Sequence, residues 1–272
     1  MNQPHPGGHE HLSGAWNFRD IAGVTGVRPG RFFRSSELSH LDESGRTAMS
    51  RLAISDVADL RSHVELERRG PGAVPEGVVV HHLPFPDLSH AHAEDGAAPH
   101  ETSWQKMMTE YSDEEPSVAA GRWMTQEYER FPTLGGAQRA VRLIITMLGE
   151  GRPVLVHCFA GKDRTGFAVA VALEAAGIER EAILRDYLLS NTAVSRLRER
   201  ILDSMRRRDG MTPEVVSFAE SRLTEEVLGV RKEYLDSARR VLEATYGGLP
   251  GYLAAAGVAA DDIDRMRRQL LD

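Results

Sequence analysis

Five residues separate Cys158, the only cysteine of the chain, from Arg164 in the stretch His157-Cys158-Phe159-Ala160-Gly161-Lys162-Asp163-Arg164-Thr165-Gly166. An apolar run, Pro153-Val154-Leu155-Val156, precedes it, and a helical run, Phe167 to Ala176, follows it. The chain must therefore end a strand, turn tightly and start a helix. A turn of that size can aim successive backbone N–H groups into one concavity, a nest for a tetrahedral anion. The helix behind it adds unpaired N-terminal donors and the positive end of its dipole.

The side chains suit the same purpose. Gly161 permits backbone conformations closed to residues with a Cβ. Arg164 carries a planar fork that can grip two phosphate oxygens. Cysteines at helix N-termini beside cations react as thiolates, and a thiolate can attack phosphorus to give a phosphocysteine intermediate. Thr165 is placed to hydrogen-bond that sulfur as it leaves. The amides and side chains of Phe159, Ala160, Gly161, Lys162, Asp163 and Arg164 are the predicted phosphate cradle.

This loop resembles that of bacterial tyrosine phosphatases with the sequence His-Cys-x-x-Gly-Lys-x-Arg, and the likeness covers nearly the whole chain. Gly14-Ala15-Trp16-Asn17-Phe18-Arg19-Asp20, Phe33-Arg34-Ser35-Ser36-Glu37-Leu38 and Val57-Ala58-Asp59-Leu60-Arg61-Ser62 are similar to further family blocks. So are Gly229-Val230-Arg231-Lys232-Glu233-Tyr234-Leu235 and the segment from Tyr246 to Leu253. The resemblance implies activity on phosphotyrosine, phosphoserine or phosphothreonine, and phosphoinositides. It also implies a lid helix over the site, export to act on host signalling, and no cofactor or metal.

Composition bounds the rest. A 272-residue chain that is 41% hydrophobic and 27% charged is that of a soluble globular protein. A formal net charge of −7 argues against nucleic-acid partners and against general attraction to anionic membranes. No apolar run is long enough to span a bilayer, and Met1 to His11 lacks the features of a standard signal peptide. A chain that is made in the cytoplasm and exported would leave by another route. Nothing demands more than a monomer.

The patterning predicts an α/β fold with a mostly parallel central sheet flanked by helices and a long C-terminal helical region. Strands are expected over 31–34, 54–60, 78–83 and 153–157. Helices are expected over 41–52 (capped by Asp42), 137–148 and 165–176, and almost continuously beyond Glu179. Residues 1–12 read as a flexible tail in which His5, His9 and His11 are incidental. Residues 13–272 are expected to form one domain. Within it, 84–122 reads as an insertion with a short helix near Trp104 to Tyr111, and 212–229 begins with Thr212-Pro213-Glu214, a helix-start signal suited to a lid.

The leaving oxygen needs a proton, and two aspartates compete to supply it. Asp87 follows Leu83-Pro84-Phe85-Pro86 in the place where many related enzymes carry their acid on a proline-containing loop. Asp163 lies within the phosphate loop itself, where the resembled family carries an aspartate, and the resemblance therefore favours it. Lys162 reads as a second cation at the phosphate mouth, suited to a substrate with more than one phosphate. His157 reads as orienting the loop. Asp59-Leu60-Arg61 and Asn17-Phe18-Arg19-Asp20 are read not as catalytic charges but as buried Arg–Asp pairs that hold the loop's backbone. The resemblance, and nothing else in the sequence, implies that Trp104, Tyr111, Trp123, Met124 and Tyr128 line an aromatic or lipid pocket; the other reading makes them core contacts of the insertion.

Three other readings use a similar cradle: a catalytically silent phosphate- or phosphoinositide-binding module, sulfur transfer and arsenate reduction. The first is disfavoured by the joint presence of Cys158, Arg164 and Thr165. Sulfur-transfer loops do not usually continue as Lys-Asp-Arg-Thr-Gly, and arsenate reduction commonly needs further cysteines. A single cysteine also excludes an internal disulfide and leaves no resolving thiol. Peroxide-treated protein should therefore regain activity only on addition of thiol, and full recovery without it would contradict this expectation.

Overall fold

The computed structural model describes residues 11–85, 114–207 and 212–272. Asp87, Trp104, Tyr111, His5, His9 and the helix expected near 104–111 lie outside the described residues. In chain order the elements are β1 (Arg19–Asp20), α1 (Ala22–Thr25), β2 (Phe32–Ser35), α2 (Glu43–Arg51), β3 (Asp56–Asp59), α3 (His63–Arg69), β4 (Val79–His82) and α4 (Pro116–Arg130). There follow α5 (Gly135–Gly149), β5 (Val154–His157), α6 (Asp163–Ala176), α7 (Arg180–Leu188), α8 (Val194–Arg206), α9 (Pro213–Arg222), α10 (Glu225–Leu228), α11 (Lys232–Tyr246), α12 (Leu249–Ala255) and α13 (Ala260–Leu271).

The strands form a five-stranded sheet in the order β1-β2-β5-β3-β4. All pairings are parallel except β1 with β2. The central strand β5 is Val-Leu-Val-His, and all four of its residues are buried. Successive strand side chains face opposite sides. Accordingly Val154, Val156, Phe32 and Ala58 pack into the larger core, while Leu155, Phe33 and Val57 pack into the smaller one. Helices α5, α6, α11 and α13 supply much of the larger core. Leu38, Leu41, Ala48 and Met49, from α2 and the turn before it, supply the smaller one. His157 lies opposite Ser35 on one neighbouring strand and Asp59 on the other. Cys158 therefore emerges at the carboxyl end of the middle strand, where open parallel sheets bind ligands.

Local signals set most helix starts. Asp42 accepts from the Gly45 amide at the head of α2, and Thr212 accepts from the Val215 amide at the head of α9, with Pro213 in its first turn. Glu115 and Pro116 start α4 in the same way. At α3, Ser62 and Glu65 form a reciprocal capping box.

Several expectations need correction. The tail drawn over 1–12 runs too far, because Leu12 is fully buried against the smaller core. The insertion drawn over 84–122 also overruns. Phe85 is buried, and Pro116 starts a fifteen-residue helix whose Ala119, Ala120, Met124 and Tyr128 face inward. A lid over 212–229 cannot include its second half, because Leu223, Val227 and Leu228 belong to the larger core. Only α9, with Val215 and Phe218 exposed, has the character expected of a cover.

Leu12→Ala should cost about 2–5 kcal/mol, as large-to-small changes in well-packed cores do. Denaturant unfolding of the variant would measure this, and a loss near zero would return residue 12 to the tail.

Candidate active site

The loop between β5 and α6 is shaped by what holds its carbonyl oxygens. The Phe159 carbonyl accepts from the Glu37 amide at 3.0 Å. The Ala160 and Gly161 carbonyls each accept from Asn17 Nδ2 at 3.0 Å. Arg34 Nη2 donates to the Gly161 carbonyl at 2.8 Å and to the Lys162 carbonyl at 3.4 Å. His157 Nδ1 lies 3.1 Å from the Cys158 carbonyl. A carbonyl only accepts, so that ring nitrogen carries the proton. In a planar trans peptide the N–H points opposite to the C=O. Tying down the carbonyls of 158–162 therefore turns the amides of Phe159, Ala160, Gly161, Lys162 and Asp163 toward the other side, around Cys158.

Glycine is required once in this turn. Gly161 has φ +66, and a Cβ there would stand 2.1 Å from the Ser35 carbonyl oxygen. Asn17 is itself left-handed at φ 54, a conformation asparagine tolerates better than most residues.

Behind the loop lies a buried ion-pair network. Arg34 Nη1 meets Asp186 Oδ2 at 2.6 Å, and Arg19 Nε meets Asp186 Oδ1 at 2.7 Å. Arg19 also donates to Asn17 Oδ1 at 2.6 Å, which orients the asparagine amide. Burial would push the Asp186 carboxyl up, but the two guanidiniums outweigh it and hold the group below the usual carboxylate range. Burial and the neighbouring Arg34 together bring the Arg19 guanidinium down to about 10. The partner of Arg19 is thus Asp186 of α7, not Asp20. Asp20 instead accepts from the Ala22 and Gly30 amides.

Arg164 is fixed by a residue that the sequence pattern does not single out. Glu65 takes it in a two-pronged pair, Nη1–Oε2 at 2.6 Å and Nη2–Oε1 at 2.8 Å. Burial alone would lower the Arg164 guanidinium, but Glu65 more than offsets it and keeps the group firmly charged. The available signal is Ser62-His63-Val64-Glu65, the capping-box spacing, which marks a helix start but not the partner of its carboxylate. Asp59 pairs with Arg61 at 2.6 Å, and Arg61 reaches Glu37 at 3.5 Å, as expected of a structural set.

His157 is fully buried, and burial lowers its pKa, which makes it a poor base for the first step. Thr165 is also fully buried, and its hydroxyl makes no hydrogen bond among the described residues, so a donor stands ready at the head of α6. Asp163 Oδ1 accepts from Tyr128 Oη at 3.0 Å.

Two expectations change here. Lys162 is neither a free cation at the phosphate mouth nor a surface residue. It is 5% exposed, and its Nζ donates to the Val227 carbonyl at 2.7 Å and the Gly229 carbonyl at 3.1 Å. The C-terminal carbonyls of α10 attract its charge, as helix C-termini do. Met124 and Tyr128 do not line a pocket, because both are buried in the larger core on the inner face of α4. Trp123 is half-buried against that core.

Among the described residues no cluster of histidine, cysteine and carboxylate could hold a metal, and no helix is long and apolar enough to cross a membrane.

A model of the tyrosine phosphatase family matches residues 10–272. The chain is 54% identical over 271 residues to the triple specificity protein phosphatase PtpB of Mycobacterium tuberculosis, covering 96% of this chain and 98% of that one. It is 29% identical to a protein of Cupriavidus necator named provisionally as a tyrosine-protein phosphatase, over 88% of this chain and 81% of that one. It is 25% identical to a tyrosine-protein phosphatase of Nostoc commune, over 91% and 76% of the two chains.

Asp186→Asn should destabilise the fold by roughly 3–5 kcal/mol, because two buried guanidiniums would lose their counter-charge. The depressed carboxyl makes this loss pH-dependent. The wild-type advantage is fully present above the unfolded value of 3.8 and shrinks as pH falls through the lower folded value. Denaturant melts of both proteins at neutral and acid pH would show the difference closing. A gap that stays constant into acid would contradict the assignment.

Proposed function

The chain belongs to the tyrosine phosphatase family and is a cysteine-dependent protein-tyrosine phosphatase; from that premise we propose how its loop works and which substrates it takes. The observation that carries the reading is the set of five carbonyls tied outward, which leaves their amides, the firmly charged Arg164 and Cys158 around one concavity.

In the first step the phosphate oxygens occupy the amides of 159–163 and the Arg164 donors that Glu65 and the Leu60 carbonyl leave open, Nε and one proton of Nη2. Cys158 Sγ, as the thiolate, attacks phosphorus. The S–P bond forms and the bond from phosphorus to the ester oxygen breaks. Asp163 gives its proton to that oxygen, which leaves as a phenol or alcohol. In the second step water attacks the phosphocysteine and the S–P bond breaks. Asp163 takes a proton from the water, and Thr165 donates to the departing sulfur. Phosphate and thiolate are the products. Donors aimed at charge that develops in the transition state are commonly the largest contribution in such sites.

The substrate range we propose is phosphotyrosine, phosphoserine or phosphothreonine, and phosphoinositides. The Mycobacterium relative, whose name states triple specificity, supports it. Lys162 lends this no direct support, since its ammonium is committed to carbonyls. Export from the cell completes the reading on sequence resemblance alone, and a monomer completes it because nothing in the sequence demands more.

Phosphate release from a phosphotyrosine peptide, a phosphothreonine peptide and phosphatidylinositol monophosphates is the test. Release from all three by the wild type, abolished in Cys158→Ser, is the expected outcome. Loss of one substrate class would narrow the range, and no release at all would favour the binding module. Asp163→Asn should lose roughly 10²–10⁴-fold in rate on poor leaving groups. If Asp87→Asn alone shows that loss, the acid is Asp87.

A further inference from the structure

Asp163 is gripped from inside the protein by groups that the phosphate does not need. Tyr128 on α4 donates from Oη to Asp163 Oδ1 at 3.0 Å. Tyr187 on α7 donates from Oη to Tyr128 Oη at 2.6 Å. A phenol has one proton, so once Tyr128 donates its hydrogen bond to the carboxylate, Tyr187 must be the donor to Tyr128. The chain of hydroxyls therefore has a direction, and it ends on one oxygen of Asp163.

Both rings are locked. Tyr128 and Tyr187 are almost completely buried in the larger core. The Tyr187 ring lies against Gly166 of α6, where even a Cβ would approach it to 2.8 Å. Burial, reinforced by the nearby Asp163, keeps both phenols protonated far above their ordinary range. They therefore act in the hydrogen-bond chain as neutral phenols and do not themselves ionise. The Lys162 ammonium sits 3.1 Å from each Asp163 oxygen while its other bonds run to Val227 and Gly229. The Asp163 side chain remains 25% exposed.

We propose that Tyr128, backed by Tyr187, is a positioning residue for proton transfer: the two hydroxyls pin Oδ1 of Asp163, so the proton given to the leaving oxygen is carried by Oδ2. This rests on Asp163 being the general acid. In the transfer the Oδ2–H bond breaks, a bond from that proton to the ester oxygen forms, and the carboxylate left behind keeps its hydrogen bond from Tyr128. In the second step Oδ2 takes the proton back from water.

The test compares wild type, Tyr128→Phe, Tyr187→Phe, the double variant and Asp163→Asn on three monoesters. These are p-nitrophenyl phosphate, phenyl phosphate and a phosphoserine peptide, in order of worsening leaving group. A misplaced acid matters more as the leaving group worsens, so Tyr128→Phe should lose roughly tenfold more kcat on the phosphoserine peptide than on p-nitrophenyl phosphate, within the span that general acids contribute. Tyr187→Phe should show the same trend more weakly. The double variant should match Tyr128→Phe alone, because Tyr187 acts only through Tyr128. Phenylalanine keeps both rings in place. If Tyr128→Phe does not fold, Tyr187→Phe reads the same relay from its outer end.

A loss equal across the three esters, or none, would overturn the proposal and leave the tyrosines as core residues. If Asp163→Asn is steep while the tyrosine variants are flat, only this inference falls. If Asp163→Asn is itself flat, the assignment of the acid falls and this inference with it.

Discussion

The site depends first on Arg34. It is completely buried, and one guanidinium does two things: it closes an ion pair with Asp186 and holds the carbonyls of Gly161 and Lys162. A buried guanidinium without partners would be prohibitive, and one with only a carboxylate partner would be a weak source of stability. Here Nη2 is spent on the loop's own backbone and on the Ser190 hydroxyl, while Nε has no hydrogen-bond partner among the described residues. The energetic demand of satisfying a buried cation and the geometric demand of an anion nest are met by the same bonds. Asn17, set by Arg19, extends this grip to Ala160.

Around that frame, segments far apart in the chain each deliver one constraint. Helix α3 brings Glu65 to Arg164, and α4 brings Tyr128 to Asp163. The carbonyls at the end of α10 hold Lys162. The side chains named in the chemistry are therefore not free to search rotamers. Pre-set orientation of this kind converts binding into productive geometry.

Much of this is legible in the order of the residues. The cysteine, the arginine and the strand-turn-helix around them lie within one short stretch, and local spacing determines them. The strands and the caps at Asp42 and Thr212 are readable because caps and hydrophobic periods are local too. What escapes is whatever requires knowing who meets whom. Glu65 is visible as a cap but not as the partner of an arginine 99 residues away. Lys162 looks like a phosphate ligand because its sequence neighbours are, whereas its fate is set by carbonyls 65 and 67 residues on. Tyr128 and Met124 are open to two readings in the sequence, a pocket implied by resemblance and core contacts, and only their packing on the inner face of α4 decides for the core. Strand β1 is two residues long, too short for any periodicity, and exists because β2 offers it an edge.

The double duty of Glu65 has a further consequence. Its carboxylate closes the first turn of α3, a seven-residue helix, and also clamps Arg164. Short helices open locally at far lower free energy than a domain core melts. Each opening of α3 would release the arginine while the sheet and the α5–α6–α13 layer stayed intact. The capping of one small helix and the orientation of the phosphate-binding arginine are thus one and the same carboxylate, so the local stability of α3 and the order of the site rise and fall together.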